Sequence, residues 1–275
     1  MRRSQRIAAI TKMLVDKPHH IFSLADFTEP FAAAKSTISE DLAVIREAFA
    51  DLDMGRIETL PGAAGGVRYV PKLAEKEMLR RIAAYCGKLS EPGRILPGGF
   101  IYLNDLCADP QIVTEIGEIF ADRFWQPQPQ YVITVETSGI PMALMTARYL
   151  NIPLLVVRRG THVSEGSVLT VNYVSGSTRR IQTMSLARRA LPEGSRVLII
   201  DDFMRAGGTL RGLIDLMVEF ECEVVGMGVF IETVEPQMKL VSDYLSLIQV
   251  NLVETPQPAV NAQPSSRLLE LSAHS

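Results

Sequence analysis

One run constrains this chain more than any other: Val197-Leu-Ile-Ile200, then Asp201-Asp202, then Phe203-Met-Arg-Ala206, then Gly207-Gly208-Thr209. Four consecutive strand-forming apolar residues read as a buried strand, and the glycine pair turns the chain into a helical stretch over Thr209 to Phe220. Further short β-rich runs at Tyr131 to Val135, Leu154 to Val157 and Val224 to Ile231, with a helical stretch at Pro141 to Leu150, repeat the alternation. That pattern predicts an α/β doubly wound parallel sheet, whose ligands bind beyond the carboxyl ends of its strands. Hydrophobic residues make up 47% and charged residues 21% of the 275, and no run of about 18 uncharged apolar residues occurs, so neither a disordered chain nor a membrane-spanning one is expected. Met1-Arg2-Arg3 leads into mixed polar and apolar residues, unlike a signal peptide, so a cytoplasmic location without membrane contact is the expectation.

The two strand-helix loops carry the chemistry. Gly207 and Gly208 let backbone N–H groups turn inward around a phosphate at a helix N-terminus, where the Thr209 hydroxyl adds a donor. Carboxylates at a strand end, Asp201 and Asp202, can accept hydrogen bonds from vicinal hydroxyls. A structural turn explains the glycines but not two acids ending an apolar strand, and a Walker-type site is excluded because no Lys-Ser/Thr follows the glycines. The run resembles the signature by which type I phosphoribosyltransferases bind 5-phosphoribosyl 1-pyrophosphate (PRPP). The resemblance implies ligand contacts from Asp201, Asp202, Phe203, Met204, Arg205, Ala206, Gly207, Gly208 and Thr209. It also implies a pyrophosphate loop at Thr137, Ser138 and Gly139, after Glu136, with Mg²⁺ helping to neutralise the ligand. Arg158 and Arg159 end the next strand and are candidate pyrophosphate partners; Tyr102 and Phe203 could stack on a base. Ala206 stands where the family commonly has Thr, which removes one hydroxyl but no backbone donor. A polar insert between Gly160 and Arg189 alternates like a long hairpin turning at Ser175-Gly176-Ser177, where the family keeps its flexible loop.

The N-terminal segment reads differently. Ile7, Ile10 and Leu14 share a helix face over Ser4 to Asp16; a second helix fits Leu24 to Phe31 with Ser23 as its cap and Pro30 at or beyond its end. A third begins near Thr37, with Glu40 completing a capping box and Ile38, Leu42, Ile45, Phe49 and Leu52 forming its apolar stripe. Arg56 to Leu60 and Val67 to Val70 alternate like a hairpin. Three helices and a hairpin resemble a winged helix-turn-helix, which implies DNA contacts from Lys35, Ser36, Thr37 and Ser39 on the third helix, Arg56 and Arg68 on the wing, and Arg2 and Arg3 at the start. A dimerisation or docking module is the plainer alternative. The first 73 residues carry ten basic and nine acidic side chains and the remainder 18 and 22, so the formal −3 divides into +1 and −4. The sign favours nucleic acid at the N-terminus, though weakly.

Taken together, the order of these parts resembles the purine operon repressors of Gram-positive bacteria, over about residues 1 to 253. The boundaries read as a DNA-binding domain over 1–73, a phosphoribosyltransferase-like effector domain over 74–254, and a Pro/Ser-rich tail over 255–275 expected to be disordered. The resemblance implies operator DNA of purine genes as partner, PRPP as effector without a catalysed transfer, a homodimer, and guanine nucleotides or alarmones as further candidate ligands. A xanthine-like purine phosphoribosyltransferase, and a docking protein with a vestigial nucleotide site, are the alternatives. Cys86, Cys107 and Cys222 and the four histidines are too scattered for a metal site or a catalytic triad, so no metal and no catalytic residue is assigned.

Overall fold

The computed structural model describes residues 1–62, 65–160, 166–174, 180–253 and 259–273. The chain divides into two units, Met1–Ala74 and Glu75–Ser275, the short stretch Arg148–Asn151 clustering with the first.

In the first unit, α1 (Arg3–Asp16), α2 (Ala25–Phe31) and α3 (Lys35–Asp51) precede an antiparallel hairpin of β1 (Arg56–Leu60) and β2 (Gly66–Val70). Ile10 and Leu14 of α1, Phe27 of α2, and Ile38, Leu42, Ile45 and Phe49 of α3 make the buried core, closed by Ile57, Val67 and Tyr69 of the hairpin. The Ser23 hydroxyl accepts from the Asp26 N–H at 3.3 Å and the Asp26 carboxylate accepts from the Ser23 N–H at 2.7 Å, a reciprocal lock before α2.

Three local expectations are corrected. The third helix starts at Lys35 rather than near Thr37: Ala34 caps it with no side-chain bond, so Thr37 lies inside the first turn and the expected capping box is absent. Leu52 is 68% exposed because it follows the last helical residue and leaves the stripe. Pro30 lies inside α2, one residue before its end, where the left-handed Ala32 stops the helix. The stripe also contains a residue that apolar periodicity overlooks. Asp41 is fully buried, pairs with the buried Arg6 of α1, and accepts from Arg3 at 3.2 Å.

The second unit runs α4 (Glu75–Leu89), β3 (Ile95–Leu96), β4 (Phe100–Ile101), α5 (Asn104–Cys107), α6 (Pro110–Phe124), β5 (Tyr131–Val135), α7 (Ile140–Leu150), β6 (Leu154–Arg159), β7 (Val168–Val174), β8 (Ile181–Ala187), β9 (Arg196–Met204), α8 (Gly208–Glu219), β10 (Glu223–Thr233), β11 (Leu245–Val253), β12 (Ala259–Pro264) and α9 (Ser266–Ala273). The main sheet has the order β12-β11-β10-β9-β5-β6-β8-β7. Its centre, β11-β10-β9-β5-β6, is parallel as expected, but both margins are antiparallel: β12 on one side, β8 and β7 on the other. The β7–β8 hairpin occupies the polar insert, and its anticipated turn at Ser175-Gly176-Ser177 lies outside the described residues.

Side-chain alternation divides the central strands between two layers. Val197 and Ile199 join Met227, Val229 and the α8 residues Leu210, Leu213 and Leu216 in one core. On the other face Gly226 and Gly228 leave room for Phe124 and Phe120 of α6: a Cβ at either glycine would lie 2.6 or 2.8 Å from those rings. The expected disordered tail is also corrected. From Ala259 the chain pairs with β11, covering the edge of that strand, and it continues into α9; Val260 and Leu268 are buried.

Asp41→Ala would leave the Arg6 guanidinium buried without its counter-charge, a loss on the order of 3 kcal/mol. Amide hydrogen exchange in α1 and α3 is expected to quicken accordingly while that of the main sheet is unchanged.

Candidate functional site

The strand expected to end at Ile200 continues to Met204, so the acid pair belongs to β9 itself. Ladder pairing of Asp201 with Val229 and of Phe203 with Ile231 holds this end rigid. The chain then turns through Arg205, Ala206 and Gly207. Gly207 has φ +86°, a left-handed conformation that favours glycine, and it opens α8 so that the helix N-terminus meets the strand end. Arg159, Asp201, Asp202 and the turn from Phe203 to Leu210 enclose a cavity of about 170 Å³. A second cavity, of about 190 Å³ and mainly apolar, is lined by Phe100, Ile101, Leu103, Asn104 and Ser138 together with Asp202, Phe203 and Arg205. Those last three residues border both cavities.

The electrostatics of this end are two-sided. Asp201 is buried, and burial first, then the neighbouring Asp202 carboxylate, raises its pKa well above the usual carboxylate range. Burial raises Asp202 as well, opposed by its hydrogen bonding with Asp201. The Asp202 N–H donates to Asp201 Oδ1 at 3.1 Å. Beside this acidic pair stand the N–H groups of a helix start and the Arg159 guanidinium, suited to an anion. Such a site fits a ligand with hydroxyls on one side and phosphate on the other. Burial, followed by the Asp202, Asp105 and Asp201 carboxylates, pushes the Cys107 thiol up to about 12, so it is inert.

The structure sorts the anticipated ligand residues. Asp201, Asp202, Phe203, Arg205, Ala206, Gly207, Gly208 and Thr209 come together around the first cavity. Met204 borders it too, but its side chain is buried in the core. Gly139 sits against the acid pair: a Cβ there would lie 3.4 Å from the Asp202 nitrogen. Ser138 reaches the second cavity, whereas Thr137 is exposed and lines neither. Arg158 is not at the cavity. It pairs with Glu136 at 3.1 Å, and its neighbour Arg159 takes the lining position, since adjacent strand residues face opposite ways. Tyr102 lines neither cavity; Phe100, two residues earlier and 52% exposed, does.

In the first unit, Lys35, Ser36 and Ser39 are exposed at the start of α3 and Thr37 is half-buried. Arg2 and Arg3 are exposed, Arg3 being tied to Asp41. On the wing Arg56 lies 3.8 Å from Glu58, and Arg68 grips the same carboxylate through two bonds of 2.9 and 2.8 Å. Arg46, which the sequence did not single out, joins α3 to the wing by donating to the Ile57 carbonyl at 3.2 Å and the Thr59 hydroxyl at 2.6 Å.

Residues 2–71 match the family model for the N-terminal part of bacterial purine repressors, and residues 103–260 match that of the phosphoribosyl transferase domain. The chain is 44% identical to the purine biosynthesis transcriptional repressor PurR of Bacillus subtilis (strain 168), over 95% of this chain and 92% of that protein. The chain belongs to the PurR family. A second PurR, named a purine biosynthesis transcriptional activator in Lactococcus lactis (strain IL1403), is 38% identical over 96% of this chain and 97% of its own. The xanthine phosphoribosyltransferase of Deinococcus deserti is 35% identical over 51% of this chain and 75% of that enzyme. Among solved structures, adenine phosphoribosyltransferase from Thermoanaerobacter pseudethanolicus superposes with a TM-score of 0.53 at 19% identity, covering 60% of this chain and 98% of that one, which shows the fold alone. As in the PurR family, the first unit is a DNA-binding domain and the second a type I phosphoribosyltransferase fold. No helix among the described residues is long and apolar enough to cross a membrane.

A carboxyl whose folded pKa is raised contributes stability below its unfolded pKa that is lost as pH rises through the folded value. Above the ordinary carboxylate pKa the protein therefore carries an energetic cost at Asp201 that it does not carry in acid, and Asp201→Asn removes it. The variant is expected to melt about 3 °C or more above the parent, roughly 1 kcal/mol in a chain of this length, in a thermal scan without ligand. The difference is expected to shrink as pH is lowered.

Proposed function

We propose that this protein represses purine synthesis and salvage genes by binding their operators through the first unit, and that PRPP bound in the second unit releases it. The observation carrying this reading is the strand end where a buried carboxylate, Asp201, and a half-buried one, Asp202, border the same cavity as the start of a helix, in a chain whose first unit is a DNA-binding domain. Asp201 and Asp202 would accept from the ribose hydroxyls, and the turn through Gly207 and Gly208 would take the 5-phosphate. Ser138 and Arg159, which line the cavities, and Gly139, packed against the acid pair, would take the pyrophosphate. Mg²⁺ fits as a companion of the ligand: two adjacent carboxylates are hard oxygen donors but too few for a protein-only site, so phosphate oxygens must complete the shell.

In this reading PRPP is an effector and no group transfer occurs. Its effect is a coupling free energy: PRPP must bind the DNA-free state more tightly, and DNA must weaken PRPP by the same factor. A homodimer suits operator recognition, because one winged helix reads few base pairs. Guanine nucleotides and alarmones, rich in phosphate, are expected competitors for the same cavity, and the protein is expected to work in the cytoplasm. The specific observation favouring a second reading, a xanthine-type transferase, is the 35% identity over 51% of this chain to such an enzyme.

Fluorescence anisotropy of the protein on labelled purine-promoter DNA, at fixed salt, tests the reading. PRPP with Mg²⁺ is expected to release the DNA at concentrations where ribose 5-phosphate does not, and Asp202→Ala to raise the PRPP requirement at least about tenfold with DNA affinity intact. Release that Asp202→Ala leaves unchanged would refute the assignment of the cavity. Turnover of PRPP with xanthine, guanine or hypoxanthine would establish the transferase instead.

A further inference from the structure

Between β10 and β11 the chain folds back over the turn that follows β9. The Lys239 ammonium donates to the Arg205 carbonyl at 2.7 Å and to the Thr233 carbonyl at 2.6 Å. The next residue continues the contact, the Leu240 N–H donating to the Ala206 carbonyl at 2.9 Å. Two successive carbonyls of the turn are thus held by one short segment.

The planarity of the peptide bond converts this into a statement about the cavity. In a trans peptide the C=O and the following N–H point in opposite directions. With the Arg205 carbonyl drawn to Lys239, the Ala206 N–H faces away from it; with the Ala206 carbonyl drawn to Leu240, the Gly207 N–H does the same. Ala206 and Gly207 both line the cavity beside Asp201 and Asp202, and neither N–H donates to another backbone group among the described residues. Without the ammonium, the Arg205 carbonyl would keep only the 3.4 Å contact from the Thr233 hydroxyl, whose single hydrogen is shared with the Glu235 carbonyl, and so could rotate toward the cavity and oppose an anion there.

We infer that Lys239 is a positioning residue for the 5-phosphate: by anchoring the Arg205 and Thr233 carbonyls it aims the turn's N–H donors at the ligand, which it never touches. The inference rests on the phosphoribosyl-ligand reading above. It assigns a basic residue outside the ligand signature a role in anion recognition that no charge contact would reveal. The ammonium is partly withdrawn from water: burial lowers the Lys239 pKa below the ordinary lysine range, while Glu232 and Glu235 oppose that shift.

Isothermal titration of the full chain with PRPP, ribose 5-phosphate and pyrophosphate, each with Mg²⁺, tests it against Lys239→Met, Lys239→Gln and Lys239→Arg. Lys239→Met is expected to weaken ribose 5-phosphate and PRPP about tenfold or more, the usual worth of a hydrogen bond to a charged group. Pyrophosphate affinity, which draws on the loop at Ser138 and Gly139, is expected to hold, and Lys239→Arg, which keeps cationic donors, to retain most of the ribose 5-phosphate affinity. Should Lys239→Met not fold, Lys239→Gln is read the same way. Unchanged ribose 5-phosphate binding in the folded variant, or equal loss for all three ligands, overturns the positioning role and leaves the effector reading standing. Failure of the parent protein to bind PRPP overturns both.

Discussion

Ionised carboxylates are stable in a protein interior only where dipoles or cations answer them. Asp201 is buried at the end of a central parallel strand, next to Asp202, and its raised pKa records how incompletely the ligand-free protein answers that charge. The surrounding parts are arranged about this point. The ladders of β9 with β10 and β5 hold the strand end still, Gly207 turns the chain back, and α8 aims its N-terminus at the same place. A ligand bringing hydroxyl donors to the acids and phosphate to the helix start would relieve both halves at once. In the proposed reading, the cost of that charge would be the counterpart of affinity for such a ligand.

Buried charge organises the first unit too, with the opposite balance. Asp41 is answered by Arg6 and Arg3, so the helix that presents Lys35, Ser36 and Ser39 is tied to the first helix by an ion pair as well as by the Ile38, Leu42, Ile45 and Phe49 stripe. Arg46 ties the same helix to the wing. Several of the unit's cations thus hold elements together. Arg68, a candidate for DNA by its type and place, is spent on Glu58 across the hairpin, where the pair stiffens the wing.

How much could be read in advance depended on whether the signal was local. Strand, acids, glycines and helix lie in one continuous run, and the spacing of Ile38, Leu42, Ile45 and Phe49 is a helix face whatever surrounds it; both survive folding as anticipated. Readings that required a partner fared worse. Leu52 extends the stripe in sequence, but the helix ends before it. Arg158 and Arg159 are chemically alike, and only the direction of β6 sends one to Glu136 and the other to the cavity. Tyr102 offered a base-stacking ring, yet the backbone hydrogen bond from its N–H to Arg94 belongs to a small hairpin that brings Phe100 to the cavity instead. The tail from residue 255 has a disordered composition. It is structured from Ala259 because β11 offers an unpaired edge, a circumstance no local window contains.

The sequence by itself determined the kinds of parts and their order: a small helical module with a hairpin, then a strand-turn-helix site of acids, glycines and threonine in an α/β sheet. Those features follow from side-chain periodicity and from conformations only certain residues adopt, which are properties of neighbours along the chain. Tertiary structure alone decided which charges are buried and which face the cavity, that Asp41 needs Arg6, and that Lys239 closes on the Arg205 carbonyl from a segment some thirty residues later. Those facts depend on burial and on hydrogen-bond geometry between distant segments, and neither exists until the chain has packed.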